Sequence, residues 1–174
     1  MYVNQYDRDG SAASMGFYAV KRFDETIESL GGVSTPSTVA DDIHKHIDRH
    51  VELYNNKFSV DVKSAKATNR GGVITIDHVW VEFKNVQGNS GWLYGEEDFL
   101  AFETNKHKFV LVGRRLLAEF CEKSVDLTAK VTSANDALYK AYTRTEHGRK
   151  DIISRIPLND IKNINHTMLI KKEN

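Results

Sequence analysis

The 174-residue chain has a single cysteine, Cys121, no internal repeat or low-complexity tract, and no apolar run that approaches the length of a bilayer span. One cysteine excludes an intrachain disulfide and suits a reducing compartment. Its place in an amphipathic segment reads as a buried small hydrophobe rather than a nucleophile. Residues Met1 to Gly16 lack the basic-then-apolar layout of a secretory signal. The expected location is therefore the cytoplasm of a bacterium or of a phage-infected cell, with no membrane partner. Net charge is also missing: 24 basic and 24 acidic residues cancel. That excludes a polycationic coater of nucleic acid and leaves such contacts to a local patch. No phosphate-loop spacing is present, which argues against nucleoside-triphosphate binding. His44, His46 and His50 come without paired cysteines or a His-Glu-x-x-His run, so zinc is not supported.

What is present describes a globular chain, with 40% hydrophobic and 28% charged residues. Its length suits one domain with one core over 1–174. Residues 1–15 are polar and read as a loose arm. From Gly16, Phe17, Val20, Phe23, Ile27 and Leu30 recur at helical spacing up to Gly31-Gly32, a helix-ending pair. Ser37 or Thr38 could cap a short second helix before Asp48. Further on, Val79, Val81 and Phe83 alternate with Trp80, Glu82 and Lys84 as in a strand. Residues 98–103 and 108–112 read as two short strands at the far side of the sheet. A helix from Arg114 follows, with Leu116, Leu117, Phe120 and Cys121 facing inward. Residues 128–150 form a candidate insertion, helical or loop-like, with Tyr139, Tyr142, Arg144, Arg149 and Lys150 facing DNA. A strand, Pro157, a short helix and a partly disordered tail complete the chain. The expected fold class is α/β, a mixed central β-sheet of about five strands flanked by helices.

The most informative stretch runs from His46 to Lys66, which reads as a β-hairpin turning at Asn55-Asn56, since Asn tolerates positive φ. With Tyr54 opposite Lys57, one face pairs Leu53 with Phe58 and Val51 with Val60. The other pairs Glu52 with Ser59, His50 with Asp61, and Asp48 with Lys63. Asp48, Asp61 and Lys63 then share a face. Two neighbouring carboxylates repel unless a cation neutralises them, and hard oxygen ligands suit Mg2+ or Mn2+. A cation there could polarise a phosphodiester, with Lys63 stabilising the developing charge. The plain alternative is a solvated hairpin face carrying an ordinary Asp/Lys cross-strand pair.

Asp48, then twelve residues, then Asp61-Val62-Lys63 on consecutive strands after an N-terminal helix resembles the PD-(D/E)XK, or restriction-endonuclease-like, nuclease superfamily. Ile47 stands where that motif has proline. The downstream residues 80–103 and 108–120 also resemble the continuation of small phage and bacterial members. The resemblance implies a restriction-endonuclease-like core and metal-dependent hydrolysis of DNA. Asp48, Asp61 and Glu82 would be the metal ligands for Mg2+ or Mn2+, with Lys63 completing the catalytic set. A rival set pairs Glu82 with Lys84, and Glu25 or Glu28 could supply the acid that related enzymes carry on the first helix. Lys66, Arg70, Lys84, Arg114 and Arg115 are the candidate nucleic-acid contacts. Two other functions stay open: a catalytically inactive protein of the same fold that binds nucleic acid or acts in assembly, and a junction-resolving or RNA-directed nuclease. The junction-resolving reading implies a homodimer.

Overall fold

The computed structural model describes residues 10–67, 73–144 and 148–173. Helix α1 (Ser11–Ser29) buries Ala19, Phe23 and Ile27, which lie on one stripe at four-residue spacing. Its end follows from Gly31, whose φ of 81° only glycine adopts without strain. The amides of Gly31 and Gly32 close back onto the carbonyls of Glu28 and Ile27. The helix begins earlier than the sequence reading had it, because residues 11–15 continue it rather than forming a loose arm. Residues 1–9 of that arm lie outside the described residues.

Strand β1 (Val33–Pro36) leads to the short helix α2 (Val39–Lys45), where the Thr38 hydroxyl accepts the Asp41 amide as an N-cap. The hairpin follows as β2 (Arg49–Leu53) and β3 (Asn56–Lys63). Its turn is Tyr54-Asn55, at φ 50° and 65°, instead of Asn55-Asn56. Leu53 therefore faces Asn56, Val51 faces Phe58, and Arg49 faces Val60. The pairing is slipped by two residues from the expected one. A slip of two keeps every side chain on its expected face and changes only its partner.

Beyond the hairpin come β4 (Lys66–Ala67), β5 (Ile74–Thr75), β6 (His78–Lys84), β7 (Phe99–Asn105) and β8 (Lys108–Gly113). They are followed by α3 (Arg114–Ser124), β9 (Asp126–Val131), β10 (Lys140–Thr143), β11 (Ile152–Pro157), α4 (Leu158–Lys162) and β12 (His166–Ile170). A mixed six-stranded sheet is ordered β1-β2-β3-β7-β8-β12, and only its β3/β7 pair is parallel. A second sheet of four strands is ordered β6-β11-β10-β9. The fold class is α/β, as expected, with the strands divided between these two sheets and a two-stranded sheet of β4 and β5.

The alternation of side chains explains the layers. On β7 and β8, Ala101, Phe109 and Leu111 join Val60 and Val62 of β3 against α1. Leu100, Phe102, Val110 and Val112 point the other way, toward Val81 and Phe83 of β6 and toward α3, α4 and β11. Strands buried on both faces belong in the middle of a sheet. That corrects the expectation that β7 and β8 lie at its far side. On α3, Leu117 and Cys121 face inward, whereas Leu116 is exposed and Ala118 is buried instead. Residues 128–150 include strands of the second sheet, and the tail forms edge strand β12, anchored by buried Leu169. No described helix is long and apolar enough to cross a membrane.

Tyr54 is exposed and occupies a left-handed backbone position that L-residues other than Asn and Gly adopt at a cost of about 1 kcal/mol. Tyr54→Asn is expected to raise Tm by about 2–4 °C in thermal melts. An unchanged or lower Tm would show that this turn is not strained.

Candidate metal and phosphodiester site

Three interactions place the hairpin acids. Arg49 reaches across to Asp24 of α1 with paired N–H donors at 2.9 and 3.1 Å, and its third nitrogen donates to the Asp48 carbonyl at 2.9 Å. The Asp48 amide donates to the Val60 carbonyl, and the Asp48 carboxylate accepts the Val62 amide at 2.8 Å. Asp48 thus extends the β2/β3 ladder by one step, which sets it beside Asp61 rather than opposite Lys63. At the other edge of β3, the Ser59 amide and hydroxyl donate to Asp98 at 2.8 and 2.9 Å, locking the start of β7 to the same strand.

Asp61 is buried on β3 with its carboxylate 2.6 Å from the Lys63 ammonium. Burial pushes the Asp61 pKa up to about 7; the Lys63 charge opposes this and the neighbouring Asp48 adds to it. Burial works against the charge on Lys63, yet Asp61 and Asp48 outweigh it and hold its pKa above the ordinary value. The ammonium also lies 4.8 Å from the ring centre of Trp92, a cation–π contact. A cavity of about 320 Å3 opens at this end of the strand, lined in part by Asp42, His46, Asp48, Asp61, Lys63 and Lys66. The Asp42 pKa is raised, first by burial and then by Asp48. The His46 pKa is lowered by burial and by Lys63. Carboxyl groups that burial makes harder to ionise are therefore gathered around a cationic side chain in a space open to a ligand.

Scans against protein-family models, curated proteins and solved structures each returned no match.

Of the residues singled out in the sequence, Asp48, Asp61, Lys63 and Lys66 come together. Glu82 joins them from the side of the lysines. Its pKa is raised by burial, with Lys63 and Lys66 pulling it down and the Trp92 amide hydrogen-bonded to it. Glu82 lines a neighbouring groove rather than the acid cavity. Lys84 is exposed and lines neither space. The Arg114 amide donates to the Asp98 carbonyl, and Arg115 is exposed on α3. Arg70 lies outside the described residues. Glu25 is engaged with His107 and Lys171, and His50 faces Ser59 rather than Asp61. Among the described residues, no three His, Cys, Asp or Glu form a ready metal-holding cluster.

Sequence reasoning missed Glu97. It is 2% exposed, and among the described residues neither carboxylate oxygen has a hydrogen-bond partner beyond its own residue. The chain closes over it at Gly95, where an added Cβ would lie 2.0 Å from Glu97 Oε2 and 2.9 Å from the Lys45 carbonyl. Its pKa rises to about 8, chiefly through burial and next through the Asp61 charge. The only sequence signal was an acidic run, Glu96-Glu97-Asp98, entering a central strand. A carboxyl that is harder to ionise in the folded state weakens the fold as pH rises from the unfolded pKa, near 4.5, to about 8. Glu97→Gln removes that penalty. Its Tm is expected to match wild type near pH 4 and to exceed it by at least about 2 °C at pH 9. Equal melting temperatures at both pH values would contradict a buried acid at this position.

Proposed function

We propose that the chain is a metal-dependent nuclease hydrolysing DNA phosphodiester bonds, on a core related to the restriction-endonuclease-like fold. The observation that carries this reading is the meeting of Asp48, Asp61 and Lys63 on one face of the hairpin, at the mouth of an open cavity. The donor set fits a hard cation. Mg2+ commonly takes one or two protein carboxylates, with waters and substrate phosphate supplying the remaining ligands. Asp48 and Asp61 would hold Mg2+ or Mn2+, with Glu82 set back behind Lys63. When bound, such an ion supplies charge neutralisation at the phosphodiester and eases deprotonation of a water.

The chain's own residues do the rest. Lys63 is a protonated donor, kept so by its acid neighbours, and its N–H groups point charge at phosphate oxygens as negative charge builds there. Trp92 limits where the Lys63 ammonium can go. Lys66, at the border of the cavity, holds an adjacent phosphate. Val62 and the Asp48 carboxylate lock the strand edge, so the acids keep their separation as substrate arrives.

One observation favours a second reading. With no ready three-ligand cluster among the described residues, a catalytically inactive relative that binds nucleic acid would use the same lysines without the cation.

Purified protein is expected to cleave DNA with Mg2+ or Mn2+ and to stop in EDTA. In Ca2+, whose coordination is larger and looser, cleavage is expected to fall sharply. Asp61→Asn and Lys63→Met should each lower the cleavage rate at least about 100-fold while remaining folded by circular dichroism. An Asp61→Asn protein that cleaves like wild type would remove the nuclease reading.

A further inference from the structure

Next to the acid cavity lies a groove of about 320 Å3 on the second sheet, and Lys66 lines both spaces. Its walls include Trp80, Tyr142, Trp92, Arg144 and Glu82. The Trp80 and Tyr142 rings are half-buried, 5.6 Å apart and tilted by 42°, so they touch each other and form a floor rather than a slot. Trp80 is fixed from behind by its indole N–H, which donates to the Ala67 carbonyl at 3.3 Å. Arg144 is fixed by Asp151, which is buried and accepts from two of its nitrogens, and the guanidinium lies 5.7 Å from the Tyr142 ring centre. These are pre-oriented groups, with little side-chain freedom left to lose on binding.

We propose that this groove holds one unpaired nucleotide of the substrate strand, its base stacked on Trp80 and Tyr142 and its phosphate between Lys66 and Arg144. The inference rests on the nuclease reading for the position of the cleaved bond, but the groove itself is a separate binding site. Two features favour a nucleotide over a longer stretch of backbone. The aromatic floor offers a face to any base, and stacking of this kind tolerates all four. The Glu82 carboxylate on the wall repels a second phosphate while accepting an N–H from a base edge. A base inside a duplex is already stacked on both sides and cannot reach this floor without leaving the helix. Single-stranded or frayed DNA is thus the substrate class, with the unpaired nucleotide seated next to the acid pair.

The test uses the full chain in EDTA, where cleavage does not interfere, with a fluorescent 12-nucleotide single strand followed by anisotropy. Competitors are the same strand, a strand with abasic sites at its centre, and the matching duplex. Base–aromatic stacking worth about 1–3 kcal/mol corresponds to roughly 5- to 150-fold in Kd. The intact single strand is expected to compete at least about fivefold better than the abasic strand or the duplex. Tyr142→Leu should lose that margin, while Glu52→Gln, in the exposed Glu52–Lys57 pair at the hairpin tip, should keep it. Equal competition by the abasic strand overturns the groove on wild-type protein alone, even if Tyr142→Leu fails to fold. If base-dependent binding holds but wild type never cleaves with Mg2+, the nuclease reading fails and the groove stands. If wild type cleaves and base dependence is absent, the groove fails and the nuclease reading stands.

Discussion

The ion pair between Asp61 and Lys63 is the interaction around which the molecule is arranged. Both residues belong to β3, a strand in the middle of the larger sheet, and Asp61 is buried there. On its other face the same strand offers Val60 and Val62 to α1. A central strand with one apolar and one charged face is stable only if the charges are matched, because an unpaired buried charge costs several kcal/mol. Lys63 supplies part of the match, and the Asp48 carboxylate is held by a backbone amide rather than by a cation. What is left is an excess of carboxyl groups at the strand's end, Asp42 and Glu97 included, whose ionisation burial opposes. Such an excess is tolerated where a ligand of opposite charge relieves it.

The two sheets divide the work that follows from this. The six-stranded sheet fixes the acids through α1 and through the Ser59–Asp98 clamp. The four-stranded sheet presents aromatic and basic side chains beside them. Lys66 on the short strand β4 joins the two regions; its pKa is held below the ordinary lysine value, first by desolvation and then by Lys63, with Glu82 and Asp61 opposing.

Much of the hairpin's chemistry was legible in the sequence because strand side chains alternate with a period of two. A register error of two residues therefore left Asp48, Asp61 and Lys63 on their expected face. The register itself was not legible. Asn55-Asn56 is the better turn by local preference, yet the chain places Tyr54 at positive φ instead. That choice brings Lys57 within 2.6 Å of Glu52 and seats Val51 beside Phe58. Tertiary fit outweighs a local cost of about 1 kcal/mol. The second sheet was harder to read. Strand β9 has no buried residue and pairs in parallel with β10, so neither alternation nor a turn signal marks it. Glu97 was hidden for a related reason: nothing local separates a buried acid from its exposed neighbour Glu96.

The central claim is that Asp48 and Asp61 hold one divalent cation between them. Anomalous diffraction from crystals soaked in Mn2+ tests it most directly. The expected result is a single strong peak within coordination distance of both carboxylates, absent in Asp48→Asn crystals grown the same way. A map with no peak there, and with Lys63 still seated on Asp61 at millimolar Mn2+, would contradict it.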